Sequence, residues 1–271
     1  MSERIQRVTA PNPGIMTGNG TNSYVLKAAN GDCMIVDPGP DHAGHIDALL
    51  AAAGGPQRIR RIVLTHMHPD HSPAAMPLAR LSAAPVCAAW PLDDEFQDKS
   101  CRPDQLIRHG QMLTLGDLRL RCVHTPGHVD NHFCFLLENE GVLFTGDHLM
   151  QGSTVVIIPP HGNMKKYLAS LALLKDYAIK RLAPGHGEWI DQPLQEIDRI
   201  IRHRLAREDK LLACLAGMSQ PATLEALVLS VYDDVDPALH AMASLSLLAH
   251  LLKLEEERRA ERHHDGWRLK S

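Results

Sequence analysis

The stretch Thr65-His66-Met67-His68-Pro69-Asp70-His71 directly follows an apolar, strand-like run, Arg61-Ile62-Val63-Leu64. It places four potential metal ligands within six residues, because imidazole nitrogens and carboxylate oxygens both bind zinc and other divalent first-row ions. Side chains two residues apart on an extended segment point the same way, so His66 and His68 are predicted to face one ion together. Asp70 and His71 then turn towards a following helix, where they are available to a second ion.

Three further residues with metal-binding side chains stand at tight turns later in the chain. They are His128 in Thr125-Pro126-Gly127-His128, Asp147 in Phe144-Thr145-Gly146-Asp147, and His186 in Ala183-Pro184-Gly185-His186. Each turn follows a strand-like apolar run, and turns rich in Pro and Gly hold functional side chains at strand ends. Taken singly, each residue is explained as an ordinary loop residue. Taken together with the first motif, and in this order, they predict one metal site.

In these motifs and in their order, residues 15–190 resemble the metallo-β-lactamase superfamily. The resemblance implies a fold of the α/β class, an αββα sandwich in which two sheets pack face to face with helices outside. It also implies two metal ions, one bound by His66, His68 and His128 and the other bound by Asp70, His71 and His186. Asp147 would bridge the two ions. No ligand of this set is missing from the sequence, which argues against an inactive scaffold.

A closer resemblance is to the LACTB2-like branch of the superfamily, which joins the hydrolase domain to a C-terminal winged-helix-like domain. Asn12-Pro13 and Gly20-Thr21-Asn22-Ser23-Tyr24 resemble the opening of that group, and His203-Arg204-Leu205-Ala206-Arg207-Glu208 resembles its domain junction. We therefore predict a metallo-β-lactamase-fold hydrolase domain over residues 1–194 and a small winged-helix-like α+β domain over residues 195–271.

Composition and charge narrow the class of protein. The chain of 271 residues exceeds the commonest domain size, and its hydrophobic content of 44% is ample for a core. A formal net charge of −4 gives no general attraction to nucleic acid or to an anionic membrane. Six cysteines without a Cys-x-x-Cys pair are typical of buried free thiols in a reducing compartment. The first residues lack a secretory-type apolar stretch, so a cytoplasmic location without membrane binding is expected.

Strand signals come early in the chain. Tyr24-Val25-Leu26 and Cys33-Met34-Ile35-Val36 predict a hairpin that turns at Asn30-Gly31. Asp37, which ends the second strand before a Pro-Gly pair, has two interpretations. It either orients a metal ligand from outside the ligand set or simply begins a turn.

The spacing of the later motifs limits what lies between them. Only 38 residues separate Asp147 from His186, which leaves room for one helix over 165–177 and excludes a large inserted domain of the β-CASP nuclease type. The loop 151–164 is expected to cover one side of the site. Beyond residue 194 the sequence predicts helices over 194–215, 223–231 and 237–254, then a hairpin over 258–269 with its turn at Asp265-Gly266. Three helices followed by a hairpin are typical of a winged helix.

The resemblance implies a mechanism as well as a fold. Two ions roughly 3.5–4 Å apart share a bridging hydroxide, which is the nucleophile, and stabilise the negative charge of the transition state. Binding lowers the pKa of that water towards about 7, so no serine or cysteine nucleophile is needed. Asp70 is predicted to orient the nucleophile, and His132 either donates a proton or only supports the ligands. Asn22 and Tyr167 are predicted to contact substrate on the resemblance alone. Zinc is expected, although iron and manganese bind the same ligands.

Three functions fit these features. The first is hydrolysis of an ester or thioester of a small activated acyl compound; β-lactams are not expected as substrates, because class B β-lactamases have no bridging aspartate where Asp147 stands. The second is a single-strand-specific endoribonuclease, which the LACTB2-like resemblance suggests and which uses the same two-metal geometry. The third is a non-enzymatic regulator whose winged-helix-like part binds DNA or a partner, and the complete ligand set argues against it.

The charge of the C-terminal part bears on RNA as a partner. Residues 195–271 contain 11 Lys+Arg and 13 Asp+Glu, whereas a nucleic-acid module is normally basic. A cluster of Arg199, Arg202, Arg204 and Arg207 keeps RNA binding open, and a solvated helix face explains the cluster equally well. We expect this part of the chain to wall the active-site cleft or to form a homodimer contact.

Overall fold

The structure is a computed structural model that describes residues 4–270, so the first three residues of the stretch searched for a secretory signal lie outside it. By packing, the chain divides into two compact units, which are described separately. Unit 1 comprises the chain up to Thr125, Asn131–Thr154 and Lys175–Pro193. Unit 2 comprises Pro126–Asp130, Val155–Leu174 and the chain from Leu194 onwards. The last segment of unit 2 starts at Leu194, one residue before the predicted second domain, and the unit also includes two internal segments.

Unit 1 is built on two sheets. The six-stranded sheet has the order β1-β2-β3-β4-β5-β6, with β1 (Ile5–Thr9), β2 (Asn22–Lys27), β3 (Cys33–Val36), β4 (Ile59–Val63), β5 (Val86–Ala88) and β6 (Gln105–Leu106). The five-stranded sheet has the order β11-β10-β9-β8-β7, with β7 (Met112–Leu115), β8 (Leu118–His124), β9 (Phe133–Leu137), β10 (Val142–Gly146) and β11 (Arg181–Pro184). The predicted hairpin is the antiparallel pair β2 and β3, in which Lys27 faces Cys33.

The main core of unit 1 lies between the two sheets. Alternate residues of β2 and β3, including Leu26 and Met34, pack in one cluster with Phe135 of β9 and Phe144 of β10. These side chains are almost fully buried, and each large apolar side chain of this kind stabilises the fold by about 1.5–3 kcal/mol. Burial of both inner faces holds the sheets together as the predicted sandwich.

Two helices cover the other face of the six-stranded sheet. They are α1 (Ala43–Ala53) and α2 (Ala75–Ser82), and their Leu49 and Leu78 share a cluster with Ile35 of β3. Helix α1 ends at Gly54, which takes a left-handed conformation with φ of 81°. Helix α2 begins at Ala75, two residues after Pro73.

Unit 2 contains four helices and a two-stranded sheet. They are α3 (Met164–Leu174), α4 (Pro193–Ala216, nearly all in this unit), α5 (Leu224–Val231), α6 (His240–Glu256), β12 (Ala260–His263) and β13 (Gly266–Leu269). Their core includes Leu211, Leu227, Leu251 and Trp267, all with little or no exposed surface. The hairpin turns at His264-Asp265, one residue earlier than predicted, since His263 pairs with Gly266.

Two further properties bear on the class of protein. The helical segment Pro237–Glu256 is long and apolar enough to cross a membrane by composition, yet its Leu247, Leu251 and Leu254 are buried in the core of unit 2. A core helix of this kind passes the same test as a membrane span, so the segment is weak evidence for one. All six cysteines are free, and five of them are buried, as the sequence predicts.

Candidate metal centre

The predicted ligands of unit 1 stand at the carboxyl ends of strands. The His66–His71 motif follows β4, Asp147 directly follows β10, and His186 lies two residues beyond β11. Strands β10 and β11 run parallel, and the backbone N–H of Gly185 donates to the carbonyl of Gly146 over 3.0 Å. Parallel strands end at one edge of a sheet, which is where α/β proteins place their ligand-binding residues.

One group able to hold a metal ion consists of Asp70, His71, Asp147 and His186, whose ligand atoms all lie within 4.8 Å of one another. His71 Nε2 lies 3.3 Å from both Asp70 Oδ2 and Asp147 Oδ1. His186 Nε2 lies 3.1 Å from Asp70 Oδ2 and 3.2 Å from Asp147 Oδ1. Two ring nitrogens and two carboxylate oxygens therefore converge, as the ligands of a single ion do.

The hydrogen bonds of the two histidines test whether this group fits a cation. His71 Nδ1 lies 3.0 Å from Asp37 Oδ2, and His186 Nδ1 lies 3.3 Å from the carbonyl oxygen of Gly20. In a neutral ring each Nδ1 therefore carries and donates the hydrogen, which leaves Nε2 with a lone pair. Both Nε2 atoms are buried, form no hydrogen bond with the described residues, and face carboxylate oxygens, which are acceptors too. A divalent cation satisfies all these atoms at once, so the group fits a metal.

The same four groups shift one another's pKa. Burial lowers the pKa of both histidines, but the two carboxylates outweigh it: the pKa of His71 lies well above its usual value, and that of His186 rises to about 9. Burial raises the pKa of Asp147, yet His186 and His71 hold it well below the usual range. Asp70 behaves in the same way. The carboxylates are therefore ionised at neutral pH, and a bound cation would take the place of the protons that the two rings otherwise hold.

The other group includes His66, His68 and Asp147 of unit 1, so Asp147 is the residue that the two groups share. His66 Nε2 lies 3.0 Å from His68 Nδ1. Burial and the neighbouring histidines His71 and His68 lower the pKa of His66 well below its usual value, so the ring is neutral and able to bind metal. His128, also predicted as a ligand, lies in unit 2, where its Nδ1 is 2.8 Å from the carbonyl oxygen of Val156, so Nε2 is the ring atom predicted to bind metal.

Buried Asp37, which directly follows β3, is hydrogen-bonded to the metal loop, residues 65–71. Its Oδ1 accepts from the backbone N–H of Thr65 over 2.7 Å, and its Oδ2 accepts from the Thr65 hydroxyl over 2.6 Å and from His71 Nδ1. Asp37 also has a positive φ of 47°, a conformation that costs a non-glycine residue about 1–3 kcal/mol. The contact with His71 supports the interpretation that Asp37 orients a predicted ligand, and residues 37–39 form no hydrogen-bonded turn.

Two glycines of the motifs are required by space. A Cβ atom added to Gly185 would lie 2.7 Å from His71 Cε1 and 3.0 Å from Asp147 Oδ1. One added to Gly146 would lie 2.4 Å from the Thr65 hydroxyl oxygen, and this glycine also has a positive φ of 46°. The loops that carry Asp147 and His186 therefore approach the metal loop at a distance that only glycine allows.

The two residues predicted to contact substrate are buried. The Asn22 side chain donates from Nδ2 to the carbonyls of Pro184 and Gly187 over 3.1 and 2.8 Å, so it holds the loop that carries His186. Tyr167 lies on α3 in unit 2 with no exposed surface, and the guanidinium of Arg204 lies 5.5 Å from its ring centre. The structure gives Asn22 a positioning role, and the contact of both residues with substrate stays a prediction.

His132 is buried beside a predicted ligand. Its ring has no exposed surface, and the ring centre lies 5.1 Å from that of His66. Its Nδ1 lies 2.9 Å from the Thr125 hydroxyl. A proton donor has to reach the substrate, whereas this ring packs against a predicted ligand. Both interpretations of His132 stay predictions, and its burial beside His66 leads us to expect support of the ligand.

We therefore expect His132→Ala to weaken metal binding more than catalysis. Loss of a group that supports a ligand lowers metal affinity by about 10–100-fold, whereas loss of a proton donor lowers turnover by about 10²–10⁴-fold. Metal affinity and the turnover of fully reloaded enzyme are measured on one variant, with exposed His109→Ala as the control. Unchanged metal affinity with a hundredfold or greater loss of turnover would restore the proton donor.

Several residues around the centre were missed by sequence reasoning. The Ser72 hydroxyl donates to Asp98 Oδ2 over 2.7 Å, and the Asp98 backbone N–H donates to the carbonyl of Met67. Asp98 therefore holds the metal loop from a distant segment, and no local pattern marks it. Thr65 and Thr21 had a signal, since each stands directly beside or within a motif that was already identified.

Two known protein families match two different parts of the chain. Residues 16–186 match a family described as Metallo-beta-lactamase superfamily, and residues 223–267 match one described as Beta-lactamase associated winged helix domain. The Beta-lactamase-like protein 2 homolog of Drosophila melanogaster is 30% identical over 95% of this chain and 89% of its own length. An atrochrysone carboxyl ACP thioesterase of Aspergillus novofumigatus is 28% identical over 95% of this chain and 80% of its own length.

Solved structures show the same likeness. A metallo-beta-lactamase family protein of Thermus thermophilus is 26% identical with a TM-score of 0.80, covering 98% of this chain and 97% of that chain. The protein TTHA1623, solved in a di-iron-bound form, is 27% identical with a TM-score of 0.57, covering 70% of this chain and 96% of that chain.

Proposed function

Since the chain belongs to the metallo-β-lactamase superfamily, we propose that it is a two-metal hydrolase that cleaves an ester or thioester of a small activated acyl compound. The superfamily, the α/β fold, the LACTB2-like branch and its winged-helix part are all confirmed predictions, and the protein is a metal-dependent hydrolase. The number of ions, the substrate class and the residue roles below are the proposal.

We assign His66, His68 and His128 to one ion and Asp70, His71 and His186 to the other, with Asp147 shared by both. The observation that carries this assignment is that two groups of possible ligands have one carboxylate in common. Zinc is the ion expected for such N/O ligands, and the di-iron form of TTHA1623 supports iron as an alternative. When bound, two such ions supply Lewis acidity and a nucleophile derived from water at neutral pH.

The chain's own residues then position the reactants. Asp70 is the ligand-set carboxylate with the larger exposed fraction, 26% of its side chain against 15% for Asp147, so it is the one that attacking water reaches. It is ionised, because His71 and His186 hold its pKa well below the usual range against the opposing effect of burial. An ionised carboxylate accepts a hydrogen bond from water, and in this way Asp70 orients it for attack.

An apolar acyl group is supported by the loop that precedes β2. Its side chains Ile15 and Met16 are 86% and 48% exposed, although both are large and apolar. The same segment is bonded to the centre, because Thr21 donates to Asp70 and the Gly20 carbonyl accepts from His186. Exposed apolar side chains beside a reactive centre are typical of ligand-binding surfaces. The relative named as a thioesterase supports the same class of substrate.

Two of the four arginines considered as an RNA-binding face, Arg204 and Arg207, are buried. Arg204 is 3% exposed and donates to the backbone carbonyl of Val155. Arg207 is 9% exposed, donates to Asp234 over 2.6 Å and lies 4.3 Å from the ring centre of Tyr232. The fold of unit 2 uses these two arginines internally, so they are not accessible to RNA. Of the cluster, only Arg199 and Arg202 still support the endoribonuclease alternative.

The test is a panel of metal-loaded protein with p-nitrophenyl esters, acyl thioesters and single-stranded RNA, each with and without a chelator. We expect chelator-sensitive hydrolysis of esters and thioesters and no cleavage of RNA. Cleavage of RNA without hydrolysis of any ester would replace the proposed function by the endoribonuclease alternative.

Within the ester series, kcat/KM is expected to rise from acetate to octanoate, since each buried methylene contributes up to about 0.8 kcal/mol. In Ile15→Ser and Met16→Ser this rise is expected to flatten, while acetate is hydrolysed as by the wild type. Leu81→Ser is the matched control, because Leu81 is 55% exposed but lies on α2. An unchanged dependence on chain length in the loop variants would reject the loop as the acyl contact.

A further inference from the structure

A chain of hydrogen bonds leads from Asn12 to a predicted metal ligand. Asn12 Oδ1 accepts from the backbone N–H of Thr21 over 2.9 Å, and Asn12 Nδ2 donates to the Thr21 hydroxyl over 3.0 Å. The Thr21 hydroxyl in turn donates to Asp70 Oδ2 over 3.4 Å. Thr21 is fully buried and Asp70 largely so, which means that little water competes for these bonds.

The direction of each bond in this chain is determined. Because Asn12 accepts from the N–H of Thr21, its amide is oriented with the NH₂ group towards the Thr21 hydroxyl, to which it donates. A hydroxyl has one hydrogen, and with its oxygen accepting from Asn12 that hydrogen is available to Asp70. The last bond is long, so its main effect is to orient the Asp70 carboxylate.

The same segment also holds the second predicted ligand of this ion. The Gly20 carbonyl, next to Thr21, accepts from His186 Nδ1 over 3.3 Å. Only glycine fits at position 20, since a Cβ there would lie 2.0 Å from the carbonyl oxygen of Ala10. Displacement of Thr21 would therefore disturb Asp70 directly and His186 through its neighbour.

We propose that Asn12 is a positioning residue for the ion that Asp70 and His186 bind, and that it acts through the hydroxyl of Thr21. The inference rests on the proposed two-ion function. Outer groups that orient metal ligands are worth about 10–100-fold in metal affinity. Loss of the Asn12 side chain therefore lowers the affinity for one of the two ions and leaves the affinity for the other unchanged.

The test measures zinc binding without substrate, by competition with a coloured chelator and by elemental analysis. Asn12→Asp is the key variant, because its carboxylate still accepts from the N–H of Thr21 but also attracts the hydroxyl hydrogen away from Asp70. We expect one Kd to rise about 10–100-fold and the other to stay within about threefold. Thr21→Val should do the same, and Thr21→Ser, which restores the hydroxyl, should keep both Kd values.

Thr17→Val is the matched control. The Thr17 hydroxyl donates to the backbone carbonyl of Asn12 over 2.6 Å, so it belongs to the same loop but does not lead to Asp70. Unchanged Kd values in Asn12→Asp and Thr21→Val would overturn the inference. Both Kd values rising together, with a lower melting temperature, would overturn it too, because that is the effect of a loosened loop.

The experiment separates this inference from the proposed function. A wild type that holds only one zinc ion contradicts the two-ion function, whatever the variants do. In that case the response of the single Kd to Asn12→Asp still decides the role of Asn12. If the wild type and Asn12→Asp both bind two ions, and each Kd is the same in the two proteins, the role of Asn12 is rejected and the two-ion function is not.

Discussion

Asp147→Ala is expected to reduce bound metal from two equivalents to one or fewer and to abolish measurable turnover. One carboxylate is shared by the two groups of possible ligands, so its loss removes a ligand from each. It also removes the negative charge that lies 3.2–3.3 Å from His186 and His71. Metal ions contribute several kcal/mol to transition-state stabilisation, so we expect a fall of at least about 10³-fold in kcat/KM.

Metal content by elemental analysis and kcat/KM on one ester are measured together. Asp147→Asn keeps the shape of the side chain and should lose metal equally, which separates lost charge from a packing defect. Asp191→Ala is the control, since Asp191 is an exposed carboxylate of the same unit, paired with Arg181. Retention of two ions and near-normal turnover in both Asp147 variants would show that this residue is not shared between the ions.

The second large effect is expected on stability, from Glu208→Gln in unit 2. Glu208 is 3% exposed, and its carboxylate accepts from Lys253 Nζ over 2.8 Å and from Arg259 over 3.2 Å, and lies 3.3 Å from His250 Nδ1. Lys253 is itself only 9% exposed. In Glu208→Gln, Lys253 keeps Glu257 as its partner over 3.0 Å, so we expect the loss in the free energy of unfolding to approach, but not exceed, the roughly 3–5 kcal/mol that a broken buried pair costs.

The matched control is Glu256→Gln, the same substitution in a salt bridge whose partners are about half exposed. Glu256 accepts from Lys165 over 2.9 Å, and such pairs are worth about 0–1 kcal/mol. Urea unfolding of both variants compares the two effects. Equal, small losses in both would show that the Glu208 network does not hold unit 2 together.

The same network predicts a pH dependence. Burial alone would raise the pKa of Glu208, but His250 and Lys253 lower it by more. The resulting pKa is about 2, against the ordinary 4.5. A depressed pKa adds stability that is complete above the ordinary value and is lost as pH falls through the folded-state value. The difference in stability between wild type and Glu208→Gln should therefore narrow between about pH 4.5 and 2. A difference that stays constant over this window contradicts the assignment.

Much of the metal centre was predictable because its ligands are local signals. His66, His68, Asp70 and His71 lie within six residues, and Asp147 and His186 stand on Pro- and Gly-containing turns directly after apolar strands. Strand periodicity and turn chemistry act over a few residues, so they can be read without the fold. The same holds for the β2 and β3 hairpin and for the end of α1 at Gly54.

Other assignments failed because they depend on residues distant in sequence. In the sequence, Arg204 and Arg207 resemble a solvated basic face, but both side chains are buried. Arg204 donates to the carbonyl of Val155, and Arg207 donates to the carbonyl of Val231 and to Asp234. A helical repeat shows which residues share a face, and it does not show which face is covered.

By itself, the sequence determined the superfamily, the two sheets and the identity of the possible metal ligands, because strand, turn and ligand preferences are properties of short segments. Only the tertiary structure decided which outer residues hold those ligands. The ligand loops are held by residues from distant parts of the chain. Asp37 is 28 residues from Thr65, and Asp98 is 26 residues from Ser72. Asn12 acts through Thr21, which is 49 residues from Asp70. Such contacts arise when strands pair and loops meet at one sheet edge, and the free energy that selects them comes from burial of the whole core.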